Sequence, residues 1–116
     1  MPRELLSGNG IQMGLDADQG VIILTLELSG LDDRAATGRV TGSNLQSVLN
    51  GIRLHLSLGG WLCSFELADG DVRVEIMMDQ DTKLEDTISA SSLQAALDRL
   101  LRDRSEKKQP DRAFLA

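Results

Sequence analysis

An α+β fold, with an antiparallel sheet of two hairpins and helices packed on one face, is what this sequence predicts. Three observations predict it. Two stretches alternate apolar and polar residues about a central turn signal. Each is followed by apolar residues spaced as on one face of a helix. The resulting order, ββ-α-ββ-α, is that of helices covering an antiparallel sheet. The chain has 116 residues, 41% hydrophobic and 26% charged, which suits one globular domain. The boundaries expected are an N-terminal segment 1–10, a domain 11–104 and a polar, flexible tail 105–116.

The first hairpin pairs Ile11 to Leu15 with Val21 to Leu28 across Asp16-Ala17-Asp18-Gln19-Gly20, a run of turn-forming residues. Ile22, Leu24, Leu26 and Leu28 share one face, while Val21 and Ile23 suggest that the strand start is covered on both sides. Ser29 to Thr41 is polar and glycine-containing and reads as a loop. Ser43 or Asn44 caps a helix that carries Leu45, Val48, Leu49 and Ile52 at i, i+3, i+4 and i+7. Gly51 weakens that helix. Residues 52–58 fit either a helix end or a strand, because Ile52, Leu54, Leu56 and Leu58 also alternate with Arg53, His55 and Ser57.

Gly59-Gly60 opens the second hairpin. Trp61, Cys63, Phe65 and Leu67 lie on one face of its first arm, and Val72, Val74, Ile76 and Met78 on one face of its second. Asp69-Gly70 is the turn, since both residues tolerate positive φ. Asp79, Asp81, Glu85 and Asp86 mark an acidic connector. Ser91 or Ser92 then caps a helix striped by Leu93, Ala96, Leu97, Leu100 and Leu101. Arg102 and Arg104 suit its C-terminal dipole, and Pro110 closes anything that continues.

Composition narrows the function. One cysteine, Cys63, excludes an internal disulfide framework and fits a reducing cytosol. No apolar run approaches the roughly 18 residues of a spanning helix, and Met1 to Gly10 lacks the basic flank and apolar core of a signal peptide. The expectation is a cytoplasmic protein with no membrane insertion. Net charge is −6. The residues from Arg99 onward are net basic, so the body is more acidic still. An acidic body repels a phosphate backbone, and 3% aromatics without tyrosine offers few stacking surfaces. No nucleic-acid partner is expected.

Chemistry is sparse. His55 and Cys63 are the one combination that nucleophilic catalysis could use, but the strand pattern puts His55 on the polar face and Cys63 on the buried one. Asp16, Asp18 and Glu27 mimic positions of a calcium loop, yet Val21 stands where that loop needs glycine. Asp79, Asp81, Glu85 and Asp86 form a denser acidic patch, read as solvated. Ser7-Gly8-Asn9-Gly10 is the nearest thing to a phosphate cradle and lacks the Walker lysine. We expect no catalytic residues, no cofactor and no metal. Binding is what remains. Trp61 is an anchor candidate, and Leu62, Met77 and Met78 suggest an adaptable apolar patch. An exposed sheet edge could also accept a partner strand.

The succession IQMGLDADQGVIILTLEL, SNLQSVLNGI, GGWLCSFELADGDVRVEIMM, SASSLQAALDRLLRD resembles the small acidic chaperones of bacterial type III secretion over residues 11–104. The resemblance implies a homo- or heterodimer that holds an extended segment of a protein partner, a secreted effector or a regulatory subunit. It implies no catalytic residues. The family's leading helix has no counterpart in Met1 to Gly10, where Gly8 and Gly10 disfavour one. The alternative is a small acidic inhibitor or immunity-type protein that blocks a basic site on its partner.

Overall fold

In the computed structural model, which describes residues 3–19, 21–28 and 34–101, each expected hairpin is the centre of a four-stranded antiparallel sheet. The first sheet runs β1 (Arg3–Ser7), β2 (Ile11–Asp18), β3 (Val21–Leu28), β4 (Ala35–Thr41), and helix α1 (Gly42–Leu49) follows directly. The second runs β5 (Leu54–Leu58), β6 (Trp61–Ala68), β7 (Asp71–Met77), β8 (Lys83–Ser89), and helix α2 (90–101) follows directly. The α+β class and the alternation of hairpins with helices hold.

The added strands are where sequence and structure differ. Arg3–Ser7, expected as a leading segment, is β1. The expected loop 29–41 becomes β4 from Ala35 onward; residues 29–33 lie outside the described set. Residues 54–58 resolve as strand β5, and the second half of the acidic connector is β8. β1, β4 and β8 escape a hydrophobic-pattern reading because their apolar alternation is broken at core-facing positions by small or charged residues: Ala36 and Gly38 in β4, Asp86 in β8, Glu4 in β1. β2 also continues through Asp18, with Gln19 at a φ of 49°. The expected tail 105–116, with Arg102, Arg104 and Pro110, lies outside the described residues.

Both helix caps sit earlier than expected, on the last residue of the preceding strand. The Thr41 hydroxyl accepts from Asn44 N at 3.1 Å, and the Ser89 hydroxyl from Ser92 N at 3.3 Å. A strand-terminal residue keeps extended φ/ψ, which is what an N-cap needs. Gly51 lies beyond the helix at a φ of 96°, so it helps end α1 rather than weakening it. Ile52 falls outside the helical stripe and is exposed.

The two halves are copies of one unit. Adding 50 to the residue number carries Arg3, Leu6 and Ser7 onto Arg53, Leu56 and Ser57, and the β2–β3 register onto that of β6–β7. Arg3 pairs with Asp16 as Arg53 pairs with Glu66. Gln19 and Asp69 take the same positive φ. In the last strand and the helix the shift is 48, aligning Thr41-Gly42-Ser43-Asn44-Leu45-Gln46-Ser47-Val48-Leu49 with Ser89-Ala90-Ser91-Ser92-Leu93-Gln94-Ala95-Ala96-Leu97.

The copies meet through equivalent elements. Gln46 and Gln94 exchange two amide hydrogen bonds, each 3.0 Å, across the two helices. Such a reciprocal pair is what a two-fold relation between the halves produces. The β5–β6 turn abuts β4, where Gly38 makes room for Leu58. The β1–β2 turn abuts β8 at the equivalent position, Asp86. Core-facing residues of both sheets and both helices merge into one apolar cluster that includes Met13, Leu24, Leu45, Phe65, Ile76 and Leu97.

The amide pair carries a prediction. Gln46→Leu or Gln94→Leu alone leaves the other amide short of partners and should cost about 1–2 kcal/mol, whereas the double change to Leu should cost much less than the sum of the two single changes. Urea unfolding of the four proteins measures this, and additive effects would show that the pair contributes no coupling.

Candidate protein-binding face

Pleating decides which candidate residues meet. β6 and β7 alternate between the core and the outer face of the second sheet. Trp61 and Met78 turn inward, where both are half-buried against the core. Leu62 and Met77 turn outward. They are directly opposite each other in the β6–β7 ladder and are 62% and 43% exposed. The structure therefore unites two of the four candidate residues and removes Trp61 and Met78 to the opposite face. Trp61 starts its strand on the buried parity, so it serves the core.

The Leu62–Met77 pair borders a shallow depression of about 210 Å³ shared with His55, Ser64, Glu75 and Lys83. Charges around it are paired with one another. Arg73 reaches Glu75 at 3.6 Å and Glu85 at 3.3 Å, and Lys83 reaches Glu75 at 3.6 Å. Exposed pairs of this kind contribute little stability, but they leave the face locally close to neutral on an acidic body.

The repeat supplies an internal control. The positions equivalent to Leu62 and Met77 are Gln12 and Glu27, also directly opposite each other. The fold therefore accepts a polar pair at this place, and the apolar one is a property of the second half alone. The first sheet's exposed apolar residue, Leu5, lies in a different row, opposite Gly14.

The catalytic and metal candidates come apart. His55 is exposed on the outer face and Cys63 is buried on the inner one. Burial pushes the Cys63 thiol up to about 11, so it stays protonated at neutral pH and is a poor nucleophile. We expect native Cys63 to resist a thiol reagent at pH 8 and to react fully in denaturant; rapid native labelling would contradict its burial. Asp16 and Glu27 both pair with Arg3, at 3.7 Å and 3.8 Å, so a guanidinium already neutralises the two carboxylates of the calcium-loop candidate. Asp79 closes its own turn, accepting from the backbone N–H groups of Asp81 and Thr82 at 2.8 Å each, and these bonds with the Thr82 hydroxyl hold its carboxyl below the usual range. Among the described residues no group of three or more His, Cys, Asp or Glu is placed to hold a metal ion.

The expected solvated patch requires one correction. Asp86 is only 8% exposed. Its carboxylate accepts from the backbone N–H groups of Asn9 (3.0 Å), Gly10 (2.7 Å), Ile11 (3.0 Å) and Thr87 (2.7 Å). Sequence reading missed this residue because three of its four partners are 75–77 positions away. The available signal was the likeness of 41–49 to 89–97, which makes Asp86 the counterpart of Gly38 in a repeat.

No family model, no curated protein and no solved structure matches the chain. Among the described residues no helix is long and apolar enough to cross a membrane.

Proposed function

We propose that this is a non-enzymatic protein-binding protein of the chaperone type, which holds an extended segment of a partner against the outer face of its second sheet. The observation that carries the reading is the Leu62–Met77 pair. It is exposed, directly paired across two strands, and polar in the equivalent place of the first half. An extended client lays one apolar side chain beside this pair, while its neighbours meet the flanking Ser64, Glu75 and Lys83. The acidic body favours a client whose flanks are basic. The client class follows the resemblance to type III secretion chaperones: a secreted or regulatory protein, bound in a homo- or heterodimeric assembly.

The test is affinity capture from native lysate with identification by mass spectrometry, followed by titration of a synthetic peptide covering the captured segment. Light scattering gives the assembly state. Binding of an extended peptide with weak salt dependence supports the proposal. Capture of a folded basic protein, with an association rate that falls steeply as salt rises, replaces it with the inhibitor reading.

A further inference from the structure

The turn Gly8-Asn9-Gly10, with Ile11, sends three successive backbone N–H groups to one carboxylate, that of Asp86, and Thr87 N adds a fourth bond. Successive amides converging on one point are the geometry of an anion nest. The same stretch drew notice in the sequence as a cradle without a phosphate-binding lysine. Its space is filled from within: a Cβ at Gly8 would stand 2.7 Å from Asp86 Oδ2 and 2.8 Å from the Thr87 carbonyl oxygen. Among the described residues no Lys or Arg forms an ion pair with Asp86, so the amides are what neutralise it.

The repeat shows that the architecture does not require this anion. At the equivalent junction, Leu58 takes the place of Gly8 and Gly38 the place of Asp86, and that contact is apolar. Beside the Asp86 junction lies a depression of about 400 Å³ lined by Ile11, Leu28, Leu84, Glu85 and Thr87 among others. Glu85 is the other titratable group there; β3 contributes Leu28, β7 contributes Val74 opposite Asp86, and the turn contributes no titratable group.

We propose that the β1–β2 turn is an anion-binding loop whose resident ligand is the Asp86 carboxylate, a clasp joining the second half to the first, and that a small free carboxylate takes the same seat when that side chain is removed. Burial pushes the Asp86 carboxyl up, the backbone N–H groups of Gly10, Asn9, Thr87 and Ile11 pull it down, and the net direction is down. The clasp therefore holds above the ordinary aspartate value of about 3.9 and lets go as pH falls through the lowered value.

The experiment is thermal unfolding of Asp86→Ala in sodium formate against sodium chloride at matched ionic strength. The variant is expected to melt well below the parent, and formate to raise its midpoint saturably, by several degrees, while leaving the parent unmoved. A folded variant that responds equally to both salts overturns the proposal. Should the variant not fold, the parent is titrated with acid by NMR. The amide signals of Asn9, Gly10, Ile11 and Thr87 are expected to move together with the Asp86 carboxyl carbon at a single midpoint below 3.9. Amides that ignore that titration overturn it.

Discussion

Changing Leu62 to Gln and Met77 to Glu together is expected to weaken client binding at least roughly 30-fold. Truncating a central interface anchor typically costs about 2 kcal/mol or more, and each 1.4 kcal/mol is tenfold. The substitutions are those the molecule already carries in its first half, where Gln12 faces Glu27 across the same pair of strands. Stability should move little, because surface changes without special partners stay within about 0.5 kcal/mol. Leu5→Ser, on the outer face of the first sheet, serves as the control and should bind normally. Calorimetric titration with the captured peptide, beside a thermal melt, reads both quantities. Normal affinity in the double variant would remove the second sheet's face from the binding site.

The largest effect on stability is expected at Phe65. It is 1% exposed, sits mid-strand in β6 between Leu54 and Val74, and is the largest of the fully buried side chains. Phe65→Ala should cost about 3–5 kcal/mol through lost burial and the cavity left behind. A domain of this size holds about 5–15 kcal/mol in all, so the melting temperature should fall by roughly 10–20 °C. The repeat offers a graded comparison. Leu15 occupies the equivalent position in β2 and is also fully buried, so Phe65→Leu should cost well under the alanine change. Equal losses for Leu and Ala would mean that the ring packs by shape rather than by buried volume. An unchanged melt for Ala would place the cooperative core elsewhere.

Much of the fold was legible because the central hairpins follow the simplest rule. Ile22, Leu24, Leu26 and Leu28 are all buried, as are Cys63, Phe65, Val72, Val74 and Ile76, and period two alone points them inward. Leu93, Ala96, Leu97 and Leu100 bury one side of α2 for the same reason at a period of 3.6. The outer strands were not legible, since their identity comes from contacts with the other half. Gly38 is small because Leu58 needs its space, and Asp86 is charged because a turn from the other end of the chain offers it amides. Local propensity carries no record of a partner that arrives from 75 residues away.

The candidate site divides along the same line. Leu62 and Met77 read correctly as outward-facing, because parity within a strand is a local property. That they stand opposite each other follows from the Asp69-Gly70 turn, which sets the register. Trp61, a candidate for its residue type, and Met78, a candidate for standing next to Met77, both lie on the apolar parity of their strands, and the structure packs both against the core.

By itself, then, the sequence determined the α+β class, the two central hairpins, the helix stripes and the outward parity of Leu62 and Met77, each a matter of periodicity within a few residues. Only the tertiary structure decided that the chain is a doubled four-strand-and-helix unit whose halves join through Gln46 with Gln94 and through Asp86 with the β1–β2 turn. Those contacts depend on polar groups withdrawn from solvent, Asp86 almost fully and the two glutamines in part, finding partners far along the chain, and burial is a property of the assembled fold.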